Sequence, residues 1–227
     1  MFESLTTMAS YYQKKKPPHI EGKIHLVIGE DNHFLIKLED DNVEVEDFDT
    51  ENRWDLSLMM SEKTFEKLNS GEWNGMTAVG RSSMSESAPL DFRIPEGEQL
   101  NDETLQMMYH FLVHFFSKDY PTVTELGRKH SRKVHGGNAV PIAYGDGIRS
   151  AYYTIKKGEQ INEDEEDPWD QVFTVIGGSG KAFVDGEEIE LKKNISMHVP
   201  PNTEHIIKKE KGDDELELLW IAYGEKA

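Results

Sequence analysis

The 227-residue sequence contains no cysteine, so any chemistry must use histidine, carboxylate or hydroxyl side chains. This excludes disulfides, thiolate zinc sites and cysteine nucleophiles. The most suggestive pair is His110 and His114, whose spacing of four places both rings on one face of a predicted helix, where they could bind a metal. The alternative is a hydrogen-bonded polar edge on a buried helix, and the sequence leaves both interpretations open.

No local sequence motif indicates a Gly-rich phosphate loop, a serine elbow or a nucleophile with a base positioned beside it. Gly177-Gly178-Ser179-Gly180 lies between two predicted strands, and we interpret it as a tight β-turn rather than a nucleotide-binding loop. A basic cluster runs from Arg128 to His135, and we interpret it as a solvated connector rather than an anion site.

The formal net charge of -18, from 43 acidic and 25 basic residues, repels nucleic-acid phosphates and anionic lipid head groups. We therefore expect no nucleic-acid partner. The sequence lacks an apolar run of the roughly 18 to 20 residues that a membrane span needs, and residues 1–10 do not resemble a signal peptide. These features predict a cytoplasmic protein without membrane insertion.

The first half of the chain has a mixed α+β pattern. Phe2, Leu5, Met8 and Tyr12 follow the spacing of a helix face, and four short strands are predicted between residues 24 and 60. Ser61 is expected to cap a helix that ends at Gly71, and residues 103–118 form a long, unusually apolar helix. We assign residues 1–118 to one α+β domain.

The second half is predicted to be all-β. Strands and tight turns alternate from residue 148 to residue 222, and Asp185-Gly186 is a strong two-residue hairpin signal. Between the halves, Pro121, the basic cluster and two glycines indicate a linker over residues 119–137. The second domain is then expected over residues 138–227.

Residues 54–92, WDLSLMMSEKTFEKLNSGEWNGMTAVGRSSMSESAPLDF, resemble the sterol carrier protein type 2 family. The resemblance rests on a strand, a Ser-capped helix, a Gly-bounded turn and an apolar segment containing alanine, and it extends over residues 1–118. It implies a curved sheet backed by helices around a cavity for an apolar small molecule or lipid, with Met108, Phe111 and Phe115 in its lining. The alternative is that these side chains fill a solid core.

Residues 158–205 resemble the two motifs of the cupin family, a double-stranded β-helix barrel, through the segments DQVFTVIGGSGKAFVDGEEIEL and VPPNTEH. The family's four metal-ligand positions fall here on Asp164, Glu166, Asp170 and His205, and only the last of these keeps the family's residue type. Asn194 and Asn202 stand where the family has glycine. The resemblance therefore implies the fold, with an altered metal motif.

Three carboxylates and one imidazole would favour a hard cation such as manganese, magnesium or calcium over iron. Glu166 and Asp170 could also act as an acid and base pair without metal, or the acidic loop could simply be solvated. We therefore expect no cofactor or a weakly bound divalent cation. The expected function is non-catalytic binding of a small molecule or lipid by a homodimer, and the alternative is a metal-dependent cupin enzyme with a lipid-binding accessory domain.

Overall fold

The computed structural model describes residues 1–80, 89–118, 123–145, 147–162 and 167–224. The chain divides into two compact units between Thr124 and Glu125. No helix within the described ranges has the length and apolar character needed to cross a membrane. Each unit is described separately below.

The first unit is a mixed sheet with helices. Its elements are α1 (Phe2–Gln13), β1 (Gly22–Ile28), β2 (Asn32–Glu39), β3 (Asn42–Asp47), β4 (Leu56–Met60), α2 (Glu62–Ser70), α3 (Gly75–Gly80), β5 (Leu90–Arg93) and α4 (Asp102–His114), followed by a 3-10 turn at Phe115–Ser117. The strand order is β3-β2-β1-β4-β5. β1 and β4 are parallel, and the other neighbouring pairs are antiparallel.

Local sequence signals set the helix boundaries of this unit. The Ser61 hydroxyl accepts a hydrogen bond from the Thr64 amide at 3.1 Å, and α2 ends at Gly71, whose φ of 79° lies in the left-handed region. Asn101 caps α4 in the same way, accepting from the Thr104 amide at 2.8 Å. The predicted Ser61-capped helix and its end at Gly71 are confirmed.

One face of the five-stranded sheet carries the core of the first unit. Ile24, Leu26 and Ile28 alternate along β1 and are fully buried in a cluster that also contains residues of α1 and α4. The intervening residues of β1 point to the opposite face, because successive strand residues alternate in direction. We call that opposite side the outer face, and it carries His25, Val27 and Ser57.

The second unit is all-β apart from a 3-10 turn at Arg128–His130. Its strands are β6 (Arg132–Val134), β7 (Gly137–Gly145), β8 (Ile148–Ile155), β9 (Gln160–Ile161), β10 (Asp170–Gly177), β11 (Ser179–Val184), β12 (Glu187–Lys192), β13 (Ser196–Val199), β14 (His205–Lys208) and β15 (Leu216–Tyr223). They form a six-stranded sheet, β13-β10-β15-β8-β7-β6, and a four-stranded sheet, β12-β11-β14-β9.

The two sheets of the second unit share one apolar core. Phe173 and Leu218 from the larger sheet and Leu191 and Ile207 from the smaller one belong to the same buried cluster. The sequence predicted a barrel, whereas hydrogen bonding within the described strands produces two sheets rather than a closed barrel. The predicted Asp185-Gly186 hairpin is confirmed, with φ of 49° and 79° at the two turn residues.

The described part of the predicted linker is folded. Residues 128–130 form the 3-10 turn, and β6 pairs with β7 in the larger sheet. Arg128, expected on a solvated connector, donates to Glu159 at 2.6 Å, to Glu215 at 2.9 Å and to Asn138 at 2.7 Å. Glu159 and Glu215 therefore hold this segment against the rest of the second unit.

Glu159 lies at the centre of this ion network. Its burial alone would raise the carboxyl pKa, but hydrogen bonds from Arg128, from the Lys156 amide and from Lys133 outweigh that effect and lower the pKa to about 2. A carboxylate whose pKa is lowered on folding stabilises the folded state above its unfolded pKa of 4.5. That stabilisation is lost as the pH falls toward 2.

We expect Arg128→Met to lower the free energy of unfolding of the second unit by about 1–2 kcal/mol at pH 7, because it leaves two half-buried carboxylates without their main partner. The loss should shrink between pH 5 and pH 2, as Glu159 becomes protonated in both proteins. Urea unfolding followed by tryptophan fluorescence measures both effects. Lys181→Met, which removes the more exposed pair with Glu188, is the control and should change stability little; an equal loss in both variants would contradict a special role for Arg128.

Candidate functional site

A cavity of about 110 Å³ lies inside the second unit, and its lining is mostly polar. The residues around it are His135, Arg149, Tyr153, Asn162, Asp167, Gln171, Phe173, His205 and Trp220. Drug-sized ligand sites usually measure about 300–1,000 Å³, so this cavity suits a molecule of only a few heavy atoms.

His205 opens β14 and is only 2% exposed. Its Nδ1 lies 2.9 Å from the Thr203 carbonyl oxygen, which can only accept, so Nδ1 carries the proton. Its Nε2 is then free to accept, and the Asn162 side-chain amide donates to it at 2.8 Å. Both ring nitrogens of the histidine are thus engaged by neighbouring groups of the protein.

Gln171 brings a second amide to the cavity. It is 3% exposed, and its Oε1 accepts a hydrogen bond from the Trp220 indole at 2.8 Å. Phe173, two residues further along β10, also lines the cavity, as the alternation of strand side chains requires. The inward-facing positions of β10 are therefore 171, 173 and 175, all buried.

Asp170, one of the four predicted metal ligands, points the other way. Its carboxylate lies on the opposite face of β10 and accepts from His198 Nε2 at 2.8 Å, where the His198 side chain is 51% exposed. The structure thus turns Asp170 away from the cavity, whereas His205, on β14 of the smaller sheet, lines it, and the two residues are not brought together. The residue that enters the cavity at this point of the motif is Gln171, one position further on.

The other two predicted ligands, Asp164 and Glu166, lie outside the described residues. Over the ranges that the structure describes, no group of three or more histidine and acidic side chains is close enough to share a metal ion. The four-residue metal site stays a prediction.

The described residues that line the cavity include a guanidinium. The Arg149 guanidinium lies 4.0 Å above the Trp169 ring, and its Nη1 is 3.7 Å from the Asp167 carboxylate. Asp167 is itself oriented by the Trp169 amide, which donates to it at 3.0 Å. Arg149 was not predicted from the sequence, because it precedes the cupin motifs in the chain and only the pairing of β8 with β15 brings it close to them.

The first unit has an open groove of about 720 Å³ beside the outer face of its sheet. The apolar part of its lining consists of Val27, Met59, Met60, Trp73 and Pro89, and the charged part includes Lys63, Lys67, Asp91 and Arg93. Lys67 Nζ lies 4.2 Å from the centre of the Trp73 ring. The groove therefore combines an apolar floor with a largely cationic rim.

The residues predicted to line a lipid cavity lie elsewhere. Met108, Phe111 and Phe115 are at most 2% exposed and belong to the packed core of the first unit. The rings of Phe111 and Phe115 stack with centres 4.2 Å apart, and Tyr12 packs edge-on against both. None of these three residues lines the groove, and their role in ligand binding stays a prediction.

The predicted histidine pair on α4 is also internal to the first unit. His110 and His114 face each other with ring centres 4.5 Å apart, and the Tyr12 hydroxyl lies 3.0 Å from His110 Nδ1. Burial and the neighbouring His114 lower the pKa of His110 to about 4. The two rings and Tyr12 form a hydrogen-bonded polar edge, and the lowered pKa of His110 favours its neutral form at pH 7.

No curated protein sequence matches the chain. A solved structure from Photorhabdus luminescens is similar at 11% identity and a TM-score of 0.42, covering 46% of this chain and 88% of that one. A cupin 2 conserved barrel domain protein from Salinispora arenicola is similar at 12% identity and a TM-score of 0.42, covering 47% of this chain and 91% of that one.

The family comparison applies to the second unit. The family model for the cupin domain matches residues 151–222, a range that begins in β8 and ends in β15. It includes Gln171, Trp220 and His205, three of the residues that enclose the cavity. The first unit, with its mixed sheet, has no family assigned to it. The second unit of this chain carries a cupin domain.

Proposed function

We propose that the cupin domain is a non-catalytic binding module for a small polar molecule. The observation that carries this proposal is the cavity of about 110 Å³, in which Asn162, Gln171 and Arg149 present amide and guanidinium groups. A concave site with a few converging polar groups is the usual form of a small-molecule site. The volume restricts the ligand to a few heavy atoms.

The described residues of the cavity do not fit the metal that cupin domains commonly hold. The Nε2 atom of His205, the position from which an imidazole would ligate a metal, accepts a hydrogen bond from Asn162. Gln171 offers an amide, a weaker ligand than imidazole or carboxylate, and its oxygen is bonded to Trp220. These contacts favour binding by hydrogen bonds over a role as metal-dependent enzyme.

A second binding role concerns the first unit. We propose that its groove holds a lipid-like ligand with an apolar chain and an anionic head group. Support comes from its volume of about 720 Å³ and from an apolar floor, which includes Met59 and Trp73, next to Lys63 and Arg93. Each buried methylene contributes about 0.8 kcal/mol, so even a short acyl chain would bind measurably.

Homodimer formation also stays a prediction, and light scattering that gives 26.0 kDa in solution would contradict it.

We expect Gln171→Leu to weaken binding of a polar fragment by about tenfold or more, because it removes an inward-facing hydrogen-bonding group. Ligand-observed NMR with a panel of acetate, malonate and glycerol provides the measurement. Asp170→Asn is the matched control, since it changes the adjacent residue on the opposite face of β10. Equal effects of the two substitutions, or no binding of any fragment by the wild-type protein, would refute this assignment.

Divalent cations test the remaining metal prediction. If Asp164, Glu166, Asp170 and His205 formed a site, saturating manganese or calcium would raise the melting temperature, and His205→Ala would reduce the shift. Because His205 is engaged by Asn162, we expect no His205-dependent shift with either ion. One equivalent of manganese, iron or nickel in the untagged protein that vanishes in His205→Ala would contradict this expectation and favour the metal-dependent enzyme.

For the groove, we expect saturable binding of a fluorescent fatty acid that Met59→Gln weakens several-fold, because the substitution places an amide on the apolar floor. Ile148→Gln, which changes an exposed apolar residue of the second unit, should leave binding unchanged. If Phe111→Ala abolished binding and Met59→Gln had no effect, the ligand would bind in the core of the first unit and not in the groove.

A further inference from the structure

A continuous row of hydrogen bonds crosses the outer face of the sheet in the first unit. The Ser57 hydroxyl lies 3.4 Å from His25 Nδ1, His25 Nε2 lies 3.0 Å from His33 Nδ1, and His33 Nε2 lies 3.1 Å from the Glu30 carbonyl oxygen. The three side chains come from β4, β1 and β2, so the fold alone brings them together.

The Glu30 carbonyl at one end of the row determines which group donates and which accepts in each of its hydrogen bonds. Because the Glu30 oxygen can only accept, His33 Nε2 carries a proton and His33 Nδ1 must accept. His25 Nε2 therefore donates to His33, and His25 Nδ1 is left to accept the Ser57 proton. A serine hydroxyl facing an imidazole that is oriented by a third group is the arrangement of an activated nucleophile.

The strand register places a cation and a groove beside this serine. Ser57 pairs with His25 on β1 and with Arg93 on β5, so the three residues lie in one row across the outer face. Arg93 and Met59, the next outward-facing residue after Ser57 on β4, line the groove. Ser57 itself is 4% exposed, and the groove begins one outward-facing position away on the same strand, at Met59.

The surroundings of His25 keep its ring in place and neutral. The Phe48 ring stacks on it with centres 3.8 Å apart, and the Trp54 ring lies at 6.0 Å. Burial, together with the nearby His33, lowers the pKa of His25 to about 4. A neutral imidazole has a lone pair with which to accept a proton at physiological pH.

We propose that Ser57 is a nucleophile for carboxylic esters whose apolar acyl chain lies in the groove. Ser57 Oγ attacks the ester carbonyl carbon while His25 Nδ1 takes the hydroxyl proton. The bond to the alcohol oxygen then breaks, and the alcohol leaves with the proton from His25. Water attacks the acyl-Ser57 ester with the same base, which releases the carboxylic acid and restores the serine. In this proposal Arg93, the register partner of Ser57 on β5, supplies the positive charge that stabilises the oxyanion of both steps.

This activity goes beyond the binding roles proposed above, and it uses the groove only to hold the acyl chain. A small phosphorylating reagent needs no such chain. Its reaction at Ser57 therefore tests the nucleophile independently of lipid binding.

The test uses the full chain with diisopropyl fluorophosphate and with p-nitrophenyl butyrate. We expect one phosphoryl adduct that peptide mapping places on Ser57, together with release of p-nitrophenol. Ser57→Ala should abolish both, and His25→Gln should slow both about 100-fold or more, the usual effect of losing a general base. Ser70→Ala is the control and should change neither, because it removes an exposed serine whose hydroxyl bonds only to nearby backbone, the Lys67 carbonyl and the Glu72 amide.

Peptide mapping of the wild-type adduct decides the matter even if a variant folds poorly. A wild-type protein without an adduct on Ser57 would overturn the proposal. Ester hydrolysis that persists unchanged in a folded Ser57→Ala variant, as judged by its melting temperature, would overturn it as well.

Discussion

Neighbouring residues of a β-strand point to opposite faces, and this constraint decides which polar side chains meet in both units. In β10 it turns Gln171 into the cavity of the cupin domain and Asp170 outward to His198. In β4 it buries Leu56 and Leu58 in the core and leaves Ser57 on the same side of the sheet as His25. A shift of one residue in either strand would separate every one of these pairs.

Carbonyl oxygens, which can only accept hydrogen bonds, determine which ring nitrogen of each histidine carries the proton. The Thr203 carbonyl fixes the proton on His205 Nδ1, and the Glu30 carbonyl fixes the direction of the row that ends at Ser57. In the first case the free nitrogen is covered by an amide, which suits a binding site. In the second it faces a hydroxyl, which suits proton transfer. The same side chain thus has different chemistry in the two units because its second partner differs.

Local features of the fold were predictable from sequence, since caps and turns depend on a few adjacent residues. Ser61, Gly71 and the Asp185-Gly186 turn are examples. Asn194 and Asn202, which replace glycines of the cupin pattern, have φ of 72° and 54°, a conformation that asparagine tolerates better than most residues. The resemblance to cupins identified the second unit but not which face of β10 enters the cavity, which only the alternating burial of Gln171, Phe173 and Val175 in the structure reveals. The meeting of Ser57 with His25, 32 residues apart, depends on parallel pairing that no local pattern reveals.

The Arg128 network also connects the two sheets of the second unit. Glu159 precedes β9 of the smaller sheet and Glu215 precedes β15 of the larger one, so one guanidinium joins the two sheets at a single end. Arg149 and Gln171 both lie beside Ala222, at the far end of β15. The ion network therefore restrains the sheets at the end of β15 that lies away from Arg149 and Gln171. For the small molecule proposed above, it would bear on how readily the sheets separate, and so on residence time, rather than on the contacts that set affinity.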